Sequence, residues 1–240
     1  MGARTTGCAA YSALVRVVFL HGTGTAGPRA WPRQVEALGD EAHFVARVHD
    51  GDHPEHVIPA VAEALRPGGH LVAHSYGCVS AILTAAAYPS LVASLVLCEP
   101  PFVALTAGQP LTDEHVAGLR PIFDRRDGEG VTDHELAAGF AEAVGMPVPD
   151  FTPDQLARAA ARLRAFTPAW RFPVDPTVVE RVPTLVVTSG TADFYDEVAA
   201  ELARHGAERL VLAGCGHRVQ DHPDATAAMQ RFWARVAPLP

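Results

Sequence analysis

Apolar residues in this chain fall in short dense runs, separated by polar turns rich in Gly and Pro. The runs at Leu14–Leu20, Leu71–Ala73, Val92–Cys98, Thr184–Thr188 and Arg209–Ala213 carry mainly Val and Leu with little alternation. That pattern predicts strands buried on both faces. His43–Val48 reads as a further strand of more mixed polarity. Helical stretches lie between the strands, at Trp31–Leu38, Val57–Leu65, from just after Ser75 to Tyr88, at Phe194–His205 and at Pro223–Val236. Pro67-Gly68-Gly69 stops one helix and Pro89 follows another, as helix-breaking residues should. Strands and helices alternate. The expectation is an α/β fold with a doubly wound, mostly parallel sheet.

The alternation lapses between residues 102 and 181. Helix-like stretches stand there instead, at Asp113–Phe123, Asp133–Val144 and Thr152–Phe166, divided by Pro and Gly clusters. Thr152-Pro153-Asp154-Gln155 supplies an N-cap, a Pro at the first helical position and an acid in the first turn. The organisation expected is a core made from residues 1–101 and 182–240, with a helical cap inserted over 102–181. No internal repeat or low-complexity segment is present.

Charge and composition narrow the partners. A net charge of -8 over 240 residues argues against nucleic acid and anionic membranes. No apolar run approaches the ~20 residues of a membrane span. Met1–Tyr11 lacks the apolar segment of a secretory leader, so a cytoplasmic location is expected. The chain contains no Lys and no Asn, and its 19 basic residues are all Arg. Without Lys there is no Schiff base and no phosphate-loop lysine; without Asn there is no Asn-oriented Cys–His pair. Cys8, Cys78, Cys98 and Cys215 show no paired ligand spacing. His49–His56 is rich in His and carboxylates, but their order matches no known ligand spacing, and a solvated loop is the expectation. Neither metal nor cofactor is expected. The partner left is a small-molecule substrate, with a homo-oligomer left open.

Candidate chemistry concentrates where the predicted strands end, the place ligands occupy in open parallel sheets. His21-Gly22-Thr23-Gly24 follows the first strand, and its glycines allow backbone N–H groups to approach a ligand. Ala73-His74-Ser75-Tyr76-Gly77 joins a strand to a helix and places a Ser between small residues, the pattern of a nucleophile elbow, with Ala where Gly is usual. Asp193 follows Thr184–Thr188, and Gly214-Cys215-Gly216-His217 follows the last strand. Ser75 needs a base to take its proton, and His217 offers an imidazole. His222 precedes Pro223 and is assigned to the start of the last helix; Asp196 and Glu197 are assigned to the surface of the helix before it.

On these four motifs, and on their order of Ser, acid, His, the chain resembles the α/β-hydrolases, apart from its first dozen residues and the cap. The resemblance implies Ser75 as nucleophile, His217 as general base and Asp193, three residues after Gly190, as the acid. Glu99 is the alternative acid, because some members carry it at the end of the preceding strand. It also implies an oxyanion hole from the backbone N–H groups of Thr23 and Tyr76. His21 and Gly22 are expected near the substrate, and in the cap Trp170, flanked by Phe166 and Phe172, is expected to line the substrate pocket. A Ser elbow disfavours haloalkane dehalogenase and epoxide hydrolase chemistry, where relatives use Asp. The activity expected is cleavage of a carboxylic ester or thioester through an acyl-enzyme. Carbon–carbon bond hydrolysis at the same site, and a ligand-binding receptor with little turnover, stand as alternatives.

Overall fold

The computed structural model describes residues 16–23, 25–47, 53–144, 148 and 150–236. The expectations for the N-terminal segment, for Gly24 and for residues 48–52 of the polar loop lie outside these. Six strands, β1 (Arg16–Leu20), β2 (Ala42–Val45), β3 (Gly69–His74), β4 (Val92–Cys98), β5 (Thr184–Thr188) and β6 (Glu208–Val211), form one sheet in the order β2-β1-β3-β4-β5-β6. Every neighbouring pair is parallel.

Strand periodicity explains why both faces need covering. Val17 and Phe19 point to one side, with Val72, Val96, Leu185 and Val187. Val18 and Leu20 point to the other, with Leu71, Leu95, Leu97 and Val186. Each such side chain contributes roughly 1.5–3 kcal/mol when taken from water. Helices α1 (Pro32–Leu38) and α9 (Ala225–Trp233) close the first side through Leu38, Met229 and Phe232. Helices α2 (Ile58–Leu65), α3 (Gly77–Ala87) and α8 (Phe194–Arg204) close the second through Val61, Ile82 and Leu202.

Between β4 and β5 the chain forms α4 (Pro110–Arg125), α5 (Asp133–Ala143) and α6 (Pro153–Ala165), then a short α7 (Val178–Arg181). Ile122, Leu136 and Ala160 make a small core of their own. Capping boxes at Thr132–Glu135 and Thr152–Gln155 open α5 and α6. By Val178 and Val179 the chain is packed against the main core again. Helix α4 starts at Pro110, before the predicted Asp113, because its first N–H groups have a partner on the core. Glu197 of α8 accepts from the backbone N–H of Leu111 at 3.0 Å and of Thr112 at 2.8 Å, and from Thr112 Oγ1 at 2.8 Å. Glu197 is thus a tie between α8 and α4, not a surface residue as the sequence suggested.

Strand order reverses between β1 and β3. The chain leaves β1 for the edge strand β2 and returns on the other side of β1. A crevice is expected at such a switch point, beyond the carboxyl ends of the strands. Among the described residues no helix is long and apolar enough to cross a membrane.

Candidate active site

Ser75 stands one residue beyond β3 with φ of +52°, a left-handed conformation that side-chain-bearing residues rarely adopt. The surroundings hold it there: its N–H donates to Cys98 O at 2.8 Å, and its carbonyl accepts from Cys78 N at 2.8 Å as α3 begins. Close packing at this turn depends on two glycines. A Cβ at Gly77 would lie 2.6 Å from His21 O, and one at Gly22 would lie 2.9 Å from Ser75 Cβ. The loop after β1 and the turn after β3 are therefore in van der Waals contact through their backbones.

That contact brings Thr23 and Tyr76 together with Ser75 on the wall of one cavity of about 540 Å³. Tyr76 precedes the first residue of α3, so its N–H lies at the positive end of the helix. Its side chain is buried and ties the elbow to the cap, with Oη donating to Thr167 O at 2.5 Å and the ring 4.4 Å from that of Phe166. His21 is placed differently from expectation. It is fully buried, and Arg47 N–H donates to its Nε2 at 3.2 Å, which leaves the proton on Nδ1 to donate to Gly22 O at 2.7 Å. Both ring nitrogens are committed to backbone, so His21 shapes the loop and does not line the cavity.

His217 lines the same cavity as Ser75. His74, next to the nucleophile, holds the His217 loop by donating from Nε2 to His217 O at 2.8 Å. Burial, with the nearby His217, lowers the pKa of His74 to about 3, so it is a neutral donor. No direct bond joins Ser75 to His217 among the described residues; such bonds commonly tighten only with substrate present.

The acid facing His217 is Glu99, the alternative, and not Asp193. Glu99 directly follows β4, also at φ +52°, and is fully buried. Its Oε1 accepts from Ser189 N at 2.6 Å, while Oε2 has no hydrogen-bond partner and lies 3.9 Å from His217 Nδ1. Asp193 reaches the cavity wall, but its carboxylate is engaged elsewhere. It is the N-cap of α8, with Oδ1 accepting from Tyr195 N at 2.9 Å and Oδ2 from Thr191 Oγ1 at 2.6 Å. A carboxylate that satisfies the first turn of a helix is held away from the imidazole. His222 also follows expectation in kind: its Nδ1 accepts from Asp224 N at 3.1 Å, before α9.

The cap supplies the remaining wall. Trp170 lines the cavity and meets Phe123 edge-on at 5.5 Å, so it packs and faces the substrate space at once. Two polar residues on the wall escaped the sequence reading. His115 of α4 stacks on Phe194 at 3.9 Å, and burial lowers its pKa to about 4, against the opposing pull of Asp193. Tyr195 of α8 stacks on His217 at 5.2 Å. Position two after an expected acid could have drawn attention to Tyr195; nothing in the sequence marks His115.

Among the described residues no cluster of three or more His, Cys, Asp or Glu side chains could hold a metal ion. The Cys78, Cys98 and Cys215 thiols are free.

Comparison with known families places this arrangement. The chain matches the alpha/beta hydrolase family over residues 17–229, and it belongs to that family. Among solved structures it is similar to one described with novel epoxide hydrolases from metagenomes of hot environments, at 22% identity and a TM-score of 0.67, covering 92% of this chain and 91% of that one. It is also similar to NosK from Streptomyces actuosus (20%, TM-score 0.62, covering 92% and 98%). A hydrolase from Oleispira antarctica is a third such structure (14%, TM-score 0.64, covering 91% and 90%). At these identities the likeness is one of fold. Sequence comparison with curated proteins finds no match. Membership of that family makes the chain a hydrolase.

Proposed function

We propose that the protein hydrolyses an ester-like bond, carboxylic ester or thioester, of a small molecule through an acyl-enzyme on Ser75. The observation that carries this reading is the left-handed Ser75 on the wall of a cavity it shares with His217. A hydroxyl at that position can be acylated, and the acyl group can be returned to water.

In this reading His217 takes the Ser75 proton as Oγ attacks the carbonyl carbon, and later gives it to the leaving group. Glu99 holds the imidazole by its Nδ1–H and offsets the charge the ring acquires, the role of the acid in a triad. Glu99 is itself fully buried, which strengthens that interaction on the carboxylate side. The N–H groups of Thr23 and Tyr76 receive the oxyanion, and each such donor is worth on the order of 100-fold in rate. A water then repeats the sequence on the acyl-enzyme. The substrate space is aromatic in character, with Phe123, Phe166 and Trp170 on the cap side. We also assign the protein to the cytoplasm, a reading supported by its free thiols.

A fluorophosphonate probe tests the nucleophile. The expected result is covalent labelling of the wild-type protein, lost in Ser75→Ala, with p-nitrophenyl ester hydrolysis lost in parallel. Labelling that persists in Ser75→Ala would sink the assignment.

A further inference from the structure

Tyr195 sits at the centre of the site, and no step above uses it. Its ring lies almost parallel to the His217 imidazole, with 27° between planes and 5.2 Å between centroids. Tyr195 and Ser75 line the same cavity, and the Ser75 hydroxyl is among the groups that act on the phenol. Two contacts fix it in place: Phe194 packs on its ring at 3.9 Å, and its backbone N–H is held by Asp193 Oδ1 at 2.9 Å. The carboxylate that the family pattern suggested as the acid therefore anchors this tyrosine.

Position limits what the hydroxyl can serve. The N–H groups of Thr23 and Tyr76 belong to the β1 and β3 ends of the site, whereas Tyr195 follows β5 and His217 follows the neighbouring β6. The base must reach the leaving oxygen to protonate it. A tyrosine whose ring stacks on that base, and which shares the cavity wall with Ser75, stands where the base delivers its proton, on the leaving-group side of the tetrahedral carbon. The phenol is also held as a donor. Burial first, then the charges of Glu99, Asp193 and Cys78, push its pKa well above the ordinary 10, with the Ser75 hydroxyl acting the other way.

We propose that the Tyr195 hydroxyl is a further catalytic group, donating a hydrogen bond to the leaving-group oxygen as the intermediate on Ser75 collapses. The inference rests on the serine-ester reading. In the step itself the bond between carbonyl carbon and Ser75 Oγ stays, and the bond from that carbon to the leaving oxygen breaks. The proton His217 took from Ser75 passes to that oxygen, giving the alcohol. Tyr195 shares its proton and keeps it.

Tyr195→Phe keeps the ring and its stack on His217 and removes only the hydroxyl. Two esters with one acyl group and different leaving groups, p-nitrophenyl phenylacetate and ethyl phenylacetate, separate the roles. Ethoxide is a poor leaving group that needs the donor; p-nitrophenoxide scarcely does. The expected result is a kcat lower by roughly 10- to 100-fold on the ethyl ester, the range of a hydrogen bond to a charged group. The p-nitrophenyl ester is expected to change less than about threefold, with KM and fluorophosphonate labelling retained. Equal losses on both esters, or no loss on either, overturn the proposal. Should Tyr195→Phe fail to label, Tyr195→Met has to reproduce the same ester-dependent ratio, and its failure to do so also overturns it. If the wild-type protein does not label at all, the serine-ester reading itself falls, and this inference with it.

Discussion

Glu99 Oε2 faces His217 Nδ1 across 3.9 Å with no hydrogen bond of its own, although Glu99 is fully buried. A buried carboxylate oxygen without a partner is costly unless a neighbouring group can supply a proton or a charge. His217 is placed to do both, and the imidazolium formed during catalysis would complete the pair. The relationship separates two acids that stand 94 positions apart in sequence.

Glu99→Gln and Asp193→Asn should therefore behave oppositely. Glu99→Gln leaves the fold and KM near wild type and lowers kcat by on the order of 10³- to 10⁴-fold, as loss of the orienting acid does in other triads. Asp193→Asn keeps a capping side chain and most of the activity. Asp193→Ala loses the cap and about 0.5–2 kcal/mol of stability. Steady-state kinetics and urea unfolding of the three variants check this, and a wild-type kcat in Glu99→Gln would return the acid role to Asp193.

The two glycines at the elbow differ in what an added methyl meets. At Gly77 it meets backbone, His21 O at 2.6 Å and Leu20 O at 2.9 Å. Gly77→Ala is expected to destabilise by about 1–3 kcal/mol, because neither carbonyl can move without disturbing β1. At Gly22 it meets Ser75 Cβ and the His74 ring, so Gly22→Ala should cost activity more than stability. Comparing thermal midpoints with fluorophosphonate labelling rates separates the two effects.

Acid should unfold this protein through its buried histidines. Burial lowers the pKa of His70 to about 4, and burial together with His217 lowers that of His74 to about 3. Each unfolded histidine titrates near the ordinary 6.5, so the unfolded chain binds more protons below that pH. Their contribution is thus fully present above about pH 6.5 and declines as the pH falls towards the folded values. Each histidine removes about 2 kcal/mol by pH 5. Urea midpoints at pH 7.5, 6 and 5 should fall steadily, and His70→Gln should flatten the slope. An unchanged midpoint at pH 5 would contradict it.

Glu197 joins the two parts of the chain that shape the cavity, through three hydrogen bonds to Leu111 and Thr112. Glu197→Ala frees the N-terminus of α4, which carries His115 on the cavity wall. The expected outcome is a higher KM for bulky aromatic esters, faster proteolytic nicking in the cap, and an unchanged rate of Ser75 labelling by a small fluorophosphonate. Burial alone would raise the carboxyl's pKa, but its hydrogen bonds outweigh this and lower it. The tie is therefore present above the ordinary carboxylate range and is lost as pH falls through the lowered value.

Much of this was readable along the chain, for local reasons. Strands with Val17, Val18 and Phe19 in succession have to be buried on both faces, and that alone predicts a parallel sheet between two helical layers. Ser75 was legible because an elbow requires small residues at fixed offsets, Gly77 above all, whose added methyl would strike the β1 carbonyls. His217 followed from a glycine pair at a strand end. Those are constraints on residue type at fixed offsets, and such constraints leave marks in sequence.

The choice of acid was not of that kind. Asp193 has the expected spacing from Gly190, but spacing does not say whether a carboxylate turns to the imidazole or to its own helix. Asp193 took the helix N-terminus, because two donors lay within two residues of it. Glu99 came to face the imidazole only through the pairing of β4 with β5 and the return of the loop after β6, contacts between residues far apart in the chain. Tyr195, His115 and the Glu197 tie depend on the same long-range packing of cap on core. The sequence by itself determined the sheet and marked Ser75 and His217 as candidates; the tertiary structure decided which charges meet, since that depends on the three-dimensional direction of side chains whose partners lie far off in the chain.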